Sequence, residues 1–203
     1  MSAARRTNTL TTCLASAFLL VAAAMPARAD HLDEQLNKSA PKLVDQLRKA
    51  GYKNVGVLRF RVQVGKQPAS FQTGAINGNL VDRLENALVL HMGADESHAV
   101  GIIHNTGKEA GMRQIADWYG KPADRKKLFA IDTYPRAWGG HRVRADAFLT
   151  GVLHVAADYK TAKLEVELFT AGDPARLVKL AELPIETDLP LLRDLGKSFT
   201  VSR

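Results

Sequence analysis

The stretch from Val55 to Asn105 most constrains what this chain can fold into. It reads as strand, amphipathic helix, strand: VGVLRFRV, TGAINGNLVDRLENALVL and HAVGIIHN. Parallel strands cannot be joined by a tight turn, and a helix of this length supplies the crossover they need. In the opening strand, Asn54 to Val64, the residues Leu58, Phe60, Val62 and Val64 alternate with Arg59, Arg61 and Gln63, a period of two. The helix begins between Thr73 and Asn77 and runs to His91, with Gly93 as its stop. Ile76, Leu80, Leu84, Ala87, Leu88 and His91 form its apolar stripe, and Asp82, Arg83, Glu85 and Asn86 face away. Ala99 to His104 is the second strand.

Around this unit the pattern predicts further elements. A first helix runs from Pro41 to Ala50 on Leu43, Val44 and Leu47, after a polar lead-in from Asp30 to Lys38. Lys108 to Tyr119 forms a helix with Met112, Ile115, Ala116 and Tyr119 inward. Ala123 to Ala130 forms another, with a basic rim of Arg125, Lys126 and Lys127. The segment DTYPRAWGGHRVR, residues 132–144, reads as a long loop. From Ala145 the period is two again: ADAFLTGVLHVAAD and TAKLEVELFTA join through a tight turn at Asp158-Tyr159-Lys160. A third antiparallel strand follows over Arg176 to Leu183, and the leucines from Leu189 to Leu195 close the chain as a short helix. The expected fold class is α/β (α+β). It has a single mixed sheet, a strand–helix–strand unit followed by a carboxy-terminal antiparallel hairpin, and helices packed on the sheet.

Residues 1–29 carry the three parts of a secretory signal: basic Arg5 and Arg6, apolar Ala15 to Ala24, and small Ala27 and Ala29 before Asp30. The apolar run is shorter than the ~20 residues of a spanning helix, so cleavage near Ala29 is expected, leaving residues 30–203 as a single domain in the periplasm or outside the cell. The only cysteine, Cys13, falls within the signal, which leaves no disulfide, thiol nucleophile or thiolate metal site. Of the 28 basic residues three lie in the signal, and none of the 21 acidic ones do, so an excess of only four positive charges remains. That excess suits an anionic envelope surface better than nucleic acid. No later run reaches bilayer length.

The order of elements resembles the envelope α/β domains of three groups: the TolB amino-terminal domain, the curli-secretion lipoprotein and the lipoprotein activators of penicillin-binding proteins. The residues that carry the resemblance are KNVGVLRF, NLVDRLENALVL and ADAFLTGVLHVAADYKTAKLEVELFTAGDPARLV, across about residues 40–183. It implies a fold and an envelope setting, and it brings no catalytic motif. This chain lacks a lipidation cysteine at the end of its signal and the pore-forming segments of the curli protein.

Side chains that could carry chemistry are few. His98 and His104 flank a strand too far apart to share an ion, His91 and His154 sit in apolar patterns, and no paired zinc motif occurs. His31 beside a free amine at Asp30 is a weak copper ligand pair. No G-x-S-x-G, Walker loop or dinucleotide fingerprint is present. Neither a cofactor nor a metal is expected, and no catalytic residue is assigned. The remaining cluster is Arg136, Trp138, His141, Arg142 and Arg144. Its arginines grip carboxylates or phosphates through paired N–H donors, its glycines admit close approach, and its indole offers a flat contact. The reading is a non-catalytic binding or scaffold module that contacts an envelope protein or an anionic cell-wall component. The alternative is an envelope hydrolase assembled from distant residues such as His104, His141 and an aspartate.

Overall fold

The computed structural model describes residues 30–92 and 100–197. The signal, His98, Gly93 and the start of the second strand at Ala99 lie outside them. In chain order the elements are α1 (His31–Lys49), β1 (Asn54–Val57), β2 (Arg61–Val64), α2 (Ile76–His91), β3 (Gly101–Ile103), α3 (Thr106–Met112), α4 (Pro122–Phe129), β4 (Tyr134–Pro135), β5 (Arg142–Val143), β6 (Ala147–Val155), β7 (Thr161–Thr170), β8 (Val178–Glu186) and α5 (Leu189–Asp194). The main sheet has the order β3-β1-β6-β7-β8. β1 pairs in parallel with both β3 and β6, whereas β6, β7 and β8 form an antiparallel meander. The mixed sheet, the crossover through α2 and the carboxy-terminal hairpin all stand as the sequence pattern predicts.

The opening strand is not continuous. β2 also pairs with β6, but three residues, Leu58 to Phe60, lie opposite only Thr150 and Gly151. One extra residue makes a bulge, which flips the side-chain alternation. Leu58 therefore packs on one face of the sheet, and Phe60 and Val62 pack on the other. Opposite the bulge, Gly151 has φ +152°, and a Cβ there would collide with the Glu165 carbonyl. Thr150 fixes the bend by donating its hydroxyl to the Arg59 carbonyl at 3.0 Å. Asp146, just before β6, accepts from the Lys53 and Asn54 amides at 2.9 Å each, which anchors the start of β1.

Two apolar layers sandwich the sheet. On one face α1 and α2 bury Leu36, Leu43, Leu47, Leu80, Leu84 and Leu88 against Val55, Leu149 and Leu164. On the other, Phe148 and Phe169 meet Leu128, Trp118 and Tyr134. α1 begins far earlier than Pro41. Leu32, Leu36 and Ala40 extend the apolar stripe backward at helical spacing, Asp30 caps the first turn, and Pro41 sits inside the helix. The polar lead-in is thus part of α1, and His31 is its first residue, donating its amide to Asp188. Arg83 of α2 clamps this end: it bonds Asp30, and lies 3.3 Å from Asp33 and 3.2 Å from Asp194 of α5.

Three further expectations need correction. Helix α3 stops at Met112, because Gln114 takes a left-handed φ of +57°. Ile115 is buried as expected, but Met112 and Ala116 are exposed, and Trp118 fills the core instead. Arg125 is no rim residue. It is 3% exposed and donates to the carbonyls of Trp118, Tyr119, Pro174 and Ala175, tying α4 to the turn before β8. On α2, His91 is exposed and Glu85 is buried, the reverse of the expected faces.

Candidate functional site

The segment read as a loop over residues 132–144 contains a small hairpin. Tyr134 pairs with Val143 and Pro135 with Arg142, an antiparallel β4–β5 arm. Its root is buried: the Tyr134 hydroxyl donates to the Leu128 carbonyl at 2.7 Å, and desolvation drives that phenol above its ordinary range. The arm also extends the main sheet. His104 donates its amide to the Pro135 carbonyl and Ala137 donates to Ile102, each at 2.8 Å, so the chain runs antiparallel along the outer edge of β3. Past Ala137 it turns through Gly139 and Gly140, at φ +86° and +66°, conformations that glycine adopts without strain.

All five residues singled out in the sequence lie on or beside this arm, in different states. Trp138 stands at the tip, 72% exposed. His141 next to it is also exposed. The Arg136 guanidinium lies flat on Gly101, where a Cβ would come within 2.7 Å of its Nε. Arg142 donates to the hydroxyl and carbonyl of Thr133 at 3.0 and 2.9 Å, and sits 3.6 Å from Glu109 of α3. Arg144 and Asp132 form a loose surface pair at 3.9 Å.

A second feature escaped the sequence pattern. The bulge between β1 and β2 leaves Arg59 exposed beyond the carboxyl end of β1, beside the residues that follow β3. Here a cavity of about 240 Å³ opens between α2 and α3, lined by Arg59, Val81, Asp82, Glu85, Asn105 and Lys108 along with two glycines. An adjoining hollow of about 110 Å³ shares Arg59 and Gly107 and is walled by Phe71, Ile115 and Trp118. Glu85 is 4% exposed; its Oε2 lies 3.1 Å from His104 Nδ1, and its Oε1 is buried without a hydrogen-bond partner among the described residues. Burial pushes the Glu85 carboxyl up to about 7, against the pull of the His104 contact and helped by the charge of Asp82. The glutamate was legible only as a polar member of the α2 repeat. A one-residue difference in helix phase separates the wet face from this crevice.

The described histidines do not come together in a hydrolytic centre. His104 pairs with a glutamate rather than an aspartate, and His154 bonds Gln63 at 2.8 Å on the open face of β6. Among the described residues no serine or threonine hydroxyl bonds to a histidine, and no group of three metal-ligating side chains converges. Nor is any described helix long and apolar enough to cross a membrane.

No family model and no curated protein matches this chain. Solved structures give distant likenesses. The LpoB C-terminal domain from Salmonella enterica aligns with TM-score 0.47 and 11% identity, covering 77% of this chain and 98% of that domain. The LpoB C-terminal domain from Escherichia coli has the same identity and coverages at TM-score 0.44. The NMR structure of E. coli LpoB aligns at 0.43 and 11%, covering 91% of this chain and 84% of that one. At such distance no residue's role passes from those proteins to this one.

Proposed function

We propose that this chain is an exported, non-catalytic binding module of the cell envelope, and that it docks a partner protein through the β4–β5 arm. The observation that carries the reading is Trp138: a large aromatic held in solvent on a hairpin whose base is bonded to the sheet. An unanchored loop would lose much entropy on binding, whereas this arm is ordered beforehand. Tryptophan and arginine are the residues that dominate interface energies when buried at a contact. His141 lies beside the tip, and Arg142 and Arg144 add positive charge toward the base of the arm, where they meet Thr133 and Asp132, so the partner presents an apolar notch with carboxylates to one side. The signal-like residues 1–29 support an envelope setting for such a partner, and the resemblance to activators of penicillin-binding proteins points the same way.

A photo-crosslinking residue at position 138, compared with one at Lys160 in the turn between β6 and β7, tests this in intact cells. The expected result is a discrete protein adduct at 138 that is absent at 160. Equal labelling at both positions, or none at 138, refutes the arm as the docking element. Adducts to cell-wall polymer instead of protein would keep the arm and replace the partner.

A further inference from the structure

The crevice between α2 and α3 has the character of a ligand site that is separate from the arm. The arm runs antiparallel to β3, so Trp138 lies toward the Gly101 end, whereas the crevice opens beyond Ile103 at the other end. Its polar groups are of both kinds: basic Arg59 and Lys108 share one opening with Asp82 and the Glu85 carboxyl. A simple anion would meet the Asp82 carboxylate and the Glu85 carboxyl there and a simple cation would meet two basic groups, so the complementary guest carries both charges. The adjoining hollow, with Phe71, Ile115 and Trp118, is apolar. Just behind these walls, Glu85 Oε1 and Trp118 Nε1 are buried without a hydrogen-bond partner among the described residues. Unpaired buried groups are uncommon and costly in folded chains.

Three glycines supply an independent argument. Gly78 in α2 and Gly107 and Gly111 in α3 line this double cavity. None has a positive φ. A Cβ at Gly78 or Gly111 would touch nothing within 4 Å, and one at Gly107 would meet only Arg59 Cγ at 4.0 Å. Glycine is disfavoured in a helix relative to alanine, and here neither close packing nor backbone conformation calls for it. What the three share is that a side chain at any of them would narrow the cavity.

We propose that this cavity binds a small zwitterion, a free α-amino acid or short peptide with an apolar side chain, the carboxylate on Arg59 and Lys108, the ammonium on Glu85 and Asp82, and the side chain against Phe71 and Trp118. At about 240 Å³ the cavity is smaller than the ~300–1,000 Å³ pockets of drug-sized ligands, which limits the guest to about the size of an amino acid.

Isothermal titration and ligand-observed NMR on the purified protein test this with L-phenylalanine, L-leucine and L-alanyl-L-phenylalanine. N-acetyl-L-phenylalanine and L-phenylalanine amide serve as probes lacking one charge each. Saturable binding of the zwitterions is expected, with each single-charge analogue weaker by about tenfold or more. Gly107→Leu is expected to abolish binding while the protein stays folded, and Gly78→Ala to raise the thermal midpoint. Trp138→Ala is expected to leave binding unchanged, which separates this site from the docking arm. Preference for the dipeptide or for the free amino acid supports the site and identifies which source fills it. Absence of saturation by about 1 mM for every probe, single-charge analogues that bind as well as the zwitterions, or unaltered binding in folded Gly107→Leu each overturns the proposal.

Discussion

Replacing Glu85 by glutamine is the most informative single perturbation of this molecule. The carboxyl is nearly inaccessible, and desolvation pushes it from 4.5 up to about 7. A group whose affinity for protons is higher in the folded state favours folding when protonated. Its contribution is therefore complete below the unfolded value near 4.5 and is lost as pH rises through about 7. A displacement of that size corresponds to roughly 3 kcal/mol once both states are ionised, at about 1.4 kcal/mol per pH unit. Glutamine has the same shape, keeps an acceptor for His104 Nδ1 and never ionises. Urea unfolding of both proteins at intervals from pH 4 to 8 should give equal stabilities at the acid end. The curves should then diverge until the variant is more stable by about 3 kcal/mol at pH 8. Asp33, also raised mainly by desolvation, titrates in both proteins and cancels in the difference. Parallel curves over the whole range would refute the claim that Glu85 is held in a dry crevice.

The other expectations concern the fold and the arm. Trp138→Ala should change unfolding free energy by less than about 0.5 kcal/mol, as an exposed substitution does, while a photo-crosslinking residue placed at exposed His141 should lose its partner adduct in that variant; a large loss of stability would show the indole to be structural. Arg83→Ala strips the shared cation from Asp30, Asp33 and Asp194, and chemical denaturation should register a loss of about 1–3 kcal/mol, discounted from a fully buried pair because the site is partly wet. Arg125→Met leaves four main-chain carbonyls without their donor and should cost about 3 kcal/mol or more by the same assay. Gly151→Ala sets a methyl against the Glu165 carbonyl; loss of soluble protein, or a midpoint lowered by several degrees, is the expected outcome, and normal stability would show that the bulge can rearrange.

Regular hydrophobic periods made most of the architecture legible. The α2 stripe from Ile76 to Leu88, the alternation of Leu164, Val166 and Leu168, and the tight turn before β7 are local patterns, and each occurs where the pattern puts it. What escaped depends on contacts distant in sequence. The first ten residues of α1 look polar because their apolar members are spaced four apart, and only the partner surface on the sheet and α2 turns that spacing into a helix face. The bulge after Val57 leaves the period-two pattern of VLRFRV intact in the sequence and shows only as a mismatch with β6. Arg125 resembles its surface neighbours Lys126 and Lys127 until the carbonyls brought in by Pro174 and Ala175 are present. The same holds for the candidate sites. The residues of the arm were adjacent in the chain and could be grouped by chemistry, although the pairing that stiffens them could not be seen. The crevice gathers Arg59, Glu85 and Lys108 from three separate segments, and no spacing rule links them.

The way the arm is mounted bears on how the molecule can change. Its lower half serves as the outermost ribbon of the β-layer, satisfying amides and carbonyls along β3 that would otherwise invite a stranger's backbone. The tip residues, from Trp138 to Gly140, neither cover β3 nor belong to the β4–β5 pairing. Recognition can thus be revised by exchanging two or three tip residues, whereas trimming the whole hairpin would uncover an adhesive margin and turn a question about binding into one about aggregation.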